Sequence, residues 1–82
     1  MIKARITVTL KNGVLDPQGK AIESALATLD FRDVAGVRQG KVFDVQLAHS
    51  DRARAETELA EMCDKLLANT VIEDYAVEIM PT

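Results

Sequence analysis

Few side chains in this sequence could break or form a bond, and each is judged by what its neighbours allow. His49 stands just before a helical stretch and could act as a general base, but no Ser, Cys or carboxylate is spaced to complete a triad with it. It reads as a surface histidine. Cys63 lies between Met62 and Leu66 on an apolar stripe, where a small buried thiol is the ordinary occupant and a reactive thiolate would need positive charge nearby. Glu73 and Asp74 are adjacent carboxylates, yet successive strand residues point to opposite faces, so the two cannot share a proton as an acid–base pair. The stretch from Gly13 through Asp16, Pro17 and Gly19 to Ala21 invites comparison with a phosphate-binding loop. It places five residues between the glycines rather than four, and Ala21 replaces the hydroxyl that would meet magnesium. Asp16 would repel phosphate there, and Pro17 removes a donor N–H. An acylphosphatase-type enzyme would require an arginine in the loop after the first strand, and Lys11-Asn12-Gly13-Val14-Leu15 has none. These residues predict a shaped surface rather than a reaction centre.

The elements that would position that surface follow from patterning. Ile2, Ala4, Ile6, Val8 and Leu10 alternate with Lys3, Arg5, Thr7 and Thr9, which predicts a half-buried first strand. Asp16-Pro17 reads as an N-cap followed by proline at the first helical position. Ile22, Ala25, Leu26 and Leu29 then form one stripe expected to face the sheet, with the helix ending near Asp30. Val34 to Leu47 reads as a hairpin turning at Gln39-Gly40 into a longer strand Lys41 to Ala48, or as one bent strand with a glycine bulge. Ser50-Asp51 caps a second helix whose stripe is Leu59, Met62, Cys63, Leu66 and Leu67, closed by Asn69 in the left-handed conformation. Val71 to Met80 is the last strand, with Tyr75, Val77 and Ile79 on one face and Ala76, Glu78 and Met80 on the other.

The fold class that results is α+β, a single-domain two-layer sandwich over residues 1–82. An antiparallel sheet carries two helices on one face in βαββαβ order, the ferredoxin-like split βαβ, with the second strand short or merged with the third. At 82 residues with 48% apolar content the chain folds around one modest core. Such a core supplies only ~3–5 kcal/mol, so self-association is the natural supplement, and the open sheet face carrying Val42, Ala76, Met80, Thr7 and Thr9 is the expected pairing surface. A single cysteine excludes an intrachain disulfide and a closed zinc site. The alternating N-terminus lacks the apolar core of a signal peptide, which points to the cytoplasm and away from membranes. Net charge of −3 with three aromatic residues argues against nucleic acid.

Two segments say more than the fold. Gly13 to Ala21, and Met62-Cys63-Asp64-Lys65-Leu66-Leu67-Ala68-Asn69-Thr70-Val71-Ile72-Glu73-Asp74-Tyr75, together resemble the PurS family, as do Lys3 to Leu10 and Gly36 to Lys41 in the same order. Thr70 departs from the resemblance, since the family often has proline there. The resemblance implies the small subunit of phosphoribosylformylglycinamidine synthase. In that enzyme a glutaminase subunit releases ammonia and a large synthetase subunit uses ATP and magnesium to activate the formamide oxygen of the substrate. The small subunit then joins the two without binding a cofactor or metal of its own. Motif-like loop residues predict the contacts: Val14, Leu15, Asp16 and Gln18 at the helix entrance, and Asn69, Ile72, Glu73, Asp74 and Tyr75 at the second helix's exit. A sensing module of the ACT type has the same element order and is the alternative, since fold alone does not separate the two.

Overall fold

The computed structural model describes residues 1–80 and gives an antiparallel three-stranded sheet with two helices. The strands are β1 (Ile2–Leu10), β2 (Gly40–Leu47) and β3 (Glu73–Ile79), with α1 (Pro17–Thr28) joining β1 to β2 and α2 (Arg52–Met62) joining β2 to β3. β1 lies in the middle, so the order across the sheet is β2-β1-β3. The α+β class stands as the sequence implied. The hairpin does not form. Val34 to Gln39 has no regular structure, and Gly40 opens β2 opposite Thr9 instead of turning a two-strand ribbon. The Val34–Gln39 segment is held by side-chain and backbone contacts to the α1 entrance, which leave it no partner strand.

The period-two pattern of β1 sets the core. Ile2, Ala4, Ile6 and Val8 are all buried, and the register places Leu47, Val45 and Phe43 of β2 and Ile79, Val77 and Tyr75 of β3 on the same face. Ala55, Leu59 and Cys63 close over them from α2 and its continuation, with Ala68 completing the cluster. The opposite face is open to water. It shows Arg5 paired with Asp44 directly across β1 and β2 at 3.0 Å, and Val42 at 60% exposure. Asp44, aided by Glu78 on the other neighbouring strand, raises the Arg5 guanidinium above its already high pKa.

Two helix expectations need correction. The α2 stripe does not run through Leu66, because Cys63–Leu67 widens into a π-helical turn in which the Ala68 amide donates to the Cys63 carbonyl at 3.0 Å. The smaller rotation per residue breaks the 3.6-residue phase, leaving Leu66 83% exposed while Cys63 and Ala68 stay inside. Nor does Asn69 take the left-handed conformation. Among the described residues that belongs to Gly13 (φ 87°) and to Asp30 (φ 73°), which terminates α1. Asn69 instead makes an Asx turn: its side-chain oxygen accepts from the Val71 amide at 3.2 Å, and its carbonyl accepts from Ile72 and Glu73 at 3.0 and 2.7 Å.

The stripe of α1 is the largest departure. No α1 residue joins the core cluster; Leu29 is 66% exposed, and Phe31 just beyond it 58%. The chain is accordingly long, 48 × 28 × 14 Å with a radius of gyration of 16.2 Å. A compact chain of this length would give ~12 Å.

Candidate functional site: the loop end of the sheet

β1 ends at Leu10, and everything that meets there is loop or helix terminus. Lys11-Asn12-Gly13 turns the chain, helped by the positive φ of Gly13 and by a Val14 amide donating to the Lys11 carbonyl at 3.1 Å. Asp16 then starts α1. One of its carboxylate oxygens accepts from the Gly19 amide at 2.9 Å, and the other accepts from the Gln39 amide at 3.1 Å, more than twenty residues away. These two amide donors, followed by the Arg38 charge, hold the Asp16 carboxyl below its ordinary pKa. Phosphate has no place at this helix start, because the chain's own carboxylate fills it. A β-carbon on Gly19 would sit 2.6 Å from the Val37 carbonyl oxygen, so only glycine lets the helix and the Val37-Arg38-Gln39 strap approach this closely.

The second predicted segment arrives at the same end. The Lys11 amide donates to the Ile72 carbonyl at 2.8 Å, and the Lys11 ammonium meets Asp74 at 2.7 Å. Glu73 accepts from the Asn69 amide at 2.7 Å and pairs with Lys41 of β2 at 3.7 Å, reaching across the end of β1. Glu73 and Asp74 thus take separate partners on opposite sides of the sheet, as the strand period requires. Asp16, Gln18 and Glu73 line one hollow of about 450 Å3 with Gln39 and Lys41, while Val14, Leu15 and Asp16 line a neighbouring one of about 550 Å3 with Lys11 and Arg38.

Eight of the nine residues singled out from sequence therefore cluster at one end of the molecule. Tyr75 does not. It lies on the core face, and its hydroxyl donates to Asp64 of the widened turn at 3.2 Å; desolvation together with the Asp64 charge raises its pKa. Sequence reasoning passed over Lys11, Arg38 and Lys41, the cations that tie the cluster together; Arg38 donates to the Leu10 carbonyl. Their signal was available in the strand register, since Lys41 opposite Val8 puts a charge on the apolar side at the sheet's rim.

The other candidates resolve simply. Cys63 is fully buried, and burial, with Asp64 beside it, pushes its thiol pKa up. His49 Nδ1 accepts from the Asp51 amide at 3.1 Å at the start of α2, leaving Nε2 buried 3.3 Å from Glu58. It is a packed residue rather than the surface histidine expected. Among the described residues no group of three His, Cys, Asp or Glu side chains could hold a metal ion, and no helix is long and apolar enough to cross a membrane.

Comparison with known proteins adds what geometry leaves open. Residues 3–81 match the family model described as PurS, phosphoribosylformylglycinamidine (FGAM) synthase. A Bacillus subtilis protein, phosphoribosylformylglycinamidine synthase subunit PurS, is 47% identical over 96% of this chain and 93% of its own length. The crystal structure of Methanocaldococcus jannaschii PurS superposes with a TM-score of 0.89 at 39% identity, covering 100% of this chain and 99% of that one. A chain of the Thermotoga maritima PurLQS structure covers 96% of each chain at 29% identity, with a TM-score of 0.88.

Proposed function

Because this chain belongs to the PurS family of phosphoribosylformylglycinamidine synthase subunits, of purine biosynthesis, we propose that it is that enzyme's non-catalytic adapter. It binds the large synthetase subunit and the glutaminase subunit so that ammonia from glutamine reaches formylglycinamide ribonucleotide. ATP and magnesium belong to the synthetase. Assembly occurs in the cytoplasm, with the chain itself a homodimer or larger.

One observation carries the reading: two loop segments distant in sequence converge at one end of the sheet, and their ionisable side chains are engaged in holding that convergence. Asp16 is taken by two amides, Glu73 by an amide and Lys41, and Asp74 by Lys11. Groups held this way define a surface and are poorly placed to move protons. The physical need for such a surface is that free ammonia is lost to protonation and diffusion unless the two active sites are held in register. That a chain of this shape occurs in the Thermotoga maritima PurLQS structure supports the assembly.

Reconstitution tests the function. Glutamine-dependent amidine formation by the two larger subunits is expected to require this chain; an equal rate without it would defeat the adapter role. Pull-downs with each larger subunit test the surface: Asp74→Ala is expected to lower recovery of one of them, and undiminished recovery would remove Asp74 from the interface.

A further inference from the structure

Tyr75 is the one residue singled out from sequence that stands away from the loop end, and its place beside the docking segment gives it a different task. Its ring packs against the core cluster, and its hydroxyl donates to Asp64 at 3.2 Å. Desolvation and the Asp64 charge both favour the protonated phenol, so the donor is kept. Asp64 and Tyr75 lie eleven positions apart and enclose the whole of Asn69 to Asp74 between them. Asp64 belongs to the widened turn Cys63–Leu67, in which the Ala68 amide reaches back to the Cys63 carbonyl. Such a turn holds one residue more than an α-helical turn. It sends Leu66 out to a groove beside α2, lined also by Val45, Met62 and Leu67, and keeps Ala68 inside.

The register of that turn reaches the loop end within a few residues. Ala68 is extended and buried, and Asn69 follows it directly. From there the segment is braced on itself: the Asn69 amide donates to the Glu73 carboxylate, and the Ile72 and Glu73 amides donate to the Asn69 carbonyl. A segment braced in this way moves as a unit. Were Cys63–Leu67 to close into an ordinary α-helical turn, the unit would arrive one residue out of step, which on a helix is a rise of ~1.5 Å and a rotation of ~100°. The contacts of Lys11 with Asp74 at 2.7 Å and with the Ile72 carbonyl at 2.8 Å would not survive that displacement. Local side chains do not favour the wide form, since Glu61 and Lys65 pair at α-helical spacing. Among the described residues, Tyr75 to Asp64 is the hydrogen bond that ties a side chain of the turn to the sheet. We propose that Tyr75 is a positioning residue for the docking surface: its hydroxyl fixes Asp64 in the widened turn and so sets the register in which Asn69 to Asp74 arrives at the loop end. Direct contact with a larger subunit is the weaker account of this residue, because its ring is turned to the core while Asp74 beside it faces out.

The proposal rests on the adapter reading above, and two measurements on the full chain separate them. Tyr75→Phe keeps the ring and removes the hydroxyl. Amide hydrogen exchange at Asn69, Ile72 and Glu73 is expected to quicken about fivefold in this variant, with the Ile6 and Leu59 amides of the core unchanged; a general loss of stability would quicken all of them together. Asp64 is exposed, so Asp64→Ala leaves the core intact and is expected to match Tyr75→Phe. Asp64→Asn, whose amide oxygen still accepts from the hydroxyl, should keep wild-type rates. The double variant Tyr75→Phe/Asp64→Ala should be no faster than either single one, as for two residues acting through one bond. Affinity for the larger subunit that the wild type binds, measured by titration, should fall about fivefold in Tyr75→Phe and Asp64→Ala and hold in Asp64→Asn. Wild-type exchange in Tyr75→Phe, effects of the two residues that multiply, or undiminished affinity in Tyr75→Phe overturns the positioning while leaving the adapter reading in place. A wild type that binds neither larger subunit overturns both.

Discussion

Gly19→Ala puts the geometry of the helix entrance to a quantitative test. In an ordinary helix the change stabilises by ~1 kcal/mol, because alanine has less backbone freedom to lose on folding. Here the added β-carbon would lie 2.6 Å from the Val37 carbonyl oxygen and 2.7 Å from an Asp16 carboxylate oxygen. The side chain can swing away, but only by giving up the cap, and the carbonyl belongs to a backbone strap held at Gln39. Overpacking of this kind costs ~1–3 kcal/mol. Giving up the cap adds to that cost, so the steric term outweighs the propensity gain and the net loss is ~1–2 kcal/mol. For a domain of this size each kcal/mol moves Tm by ~4–8 °C, so Gly19→Ala should melt ~4–16 °C lower by circular dichroism. Two control substitutions isolate the cause. Gly36 has open space and no positive φ, so alanine there should be neutral or raise stability by ~0.4–1 kcal/mol. Gly13 also has open space but sits at φ +87°, so alanine should cost ~1–2 kcal/mol from backbone conformation alone. A Gly19→Ala protein as stable as Gly36→Ala would refute the packing of the α1 entrance against the Val37 strap.

Other perturbations read other parts of the molecule. Leu59→Ala removes a fully buried side chain from the centre of the core and should cost ~2–5 kcal/mol. That is comparable to all the stability one small core supplies, so urea titration should find the variant substantially unfolded. Cys63 should resist a thiol-labelling reagent in the folded chain and react at once in denaturant, since it is fully buried with its pKa raised; equal rates would place it at the surface. Asp16 has a carboxyl pKa below its unfolded value, so the stabilisation it gives is complete above about pH 4 and disappears as pH falls through the lower folded value. Acid titration should loosen the α1 entrance in the wild type, and Asp16→Asn should flatten that pH dependence; an unchanged acid profile in the variant would assign the effect elsewhere. Asp74→Asn breaks only an exposed pair with Lys11, worth at most ~1 kcal/mol, so any loss of subunit binding in that variant should come with a nearly unchanged Tm.

What the sequence revealed, and what it hid, divides along one physical line. Elements whose pattern is satisfied inside the chain were legible: the alternation of β1 became a buried face, and Asp16-Pro17 and Asp51 became helix starts with their side chains accepting from Gly19 and Arg54. The hairpin failed because Gln39-Gly40 looked like a turn between strands, while the amide of Gln39 was committed to Asp16, a tertiary contact no local window contains. Leu66 failed for a subtler reason. A helical wheel assumes a constant rotation, and the π-helical turn at Cys63–Leu67 changes it within one turn, so a leucine predicted for the core was turned outward. The cations of the site escaped notice because lysine and arginine at strand ends read as solvation until register brings Lys41 and Lys11 to Glu73 and Asp74.

The stripe of α1 is a different kind of discrepancy, and it bears on function. Ile22, Leu26 and Leu29 have the spacing of a buried face, and sequence logic assigned that face to the chain's own sheet. The structure leaves Ile22 and Leu29 exposed, while glycine and a carboxylate fix the helix base against the Val37–Gln39 strap. A pattern that encodes burial, on an element held away from its own core, is evidence that the covering surface lies on another chain. Leu66 points the same way, since the residue turned out of the core borders the groove beside α2. Leu29 and Leu66, both assigned to the core by sequence and both exposed in the single chain, are therefore two residues whose substitution by aspartate is expected to weaken self-association, read as a lower sedimenting mass.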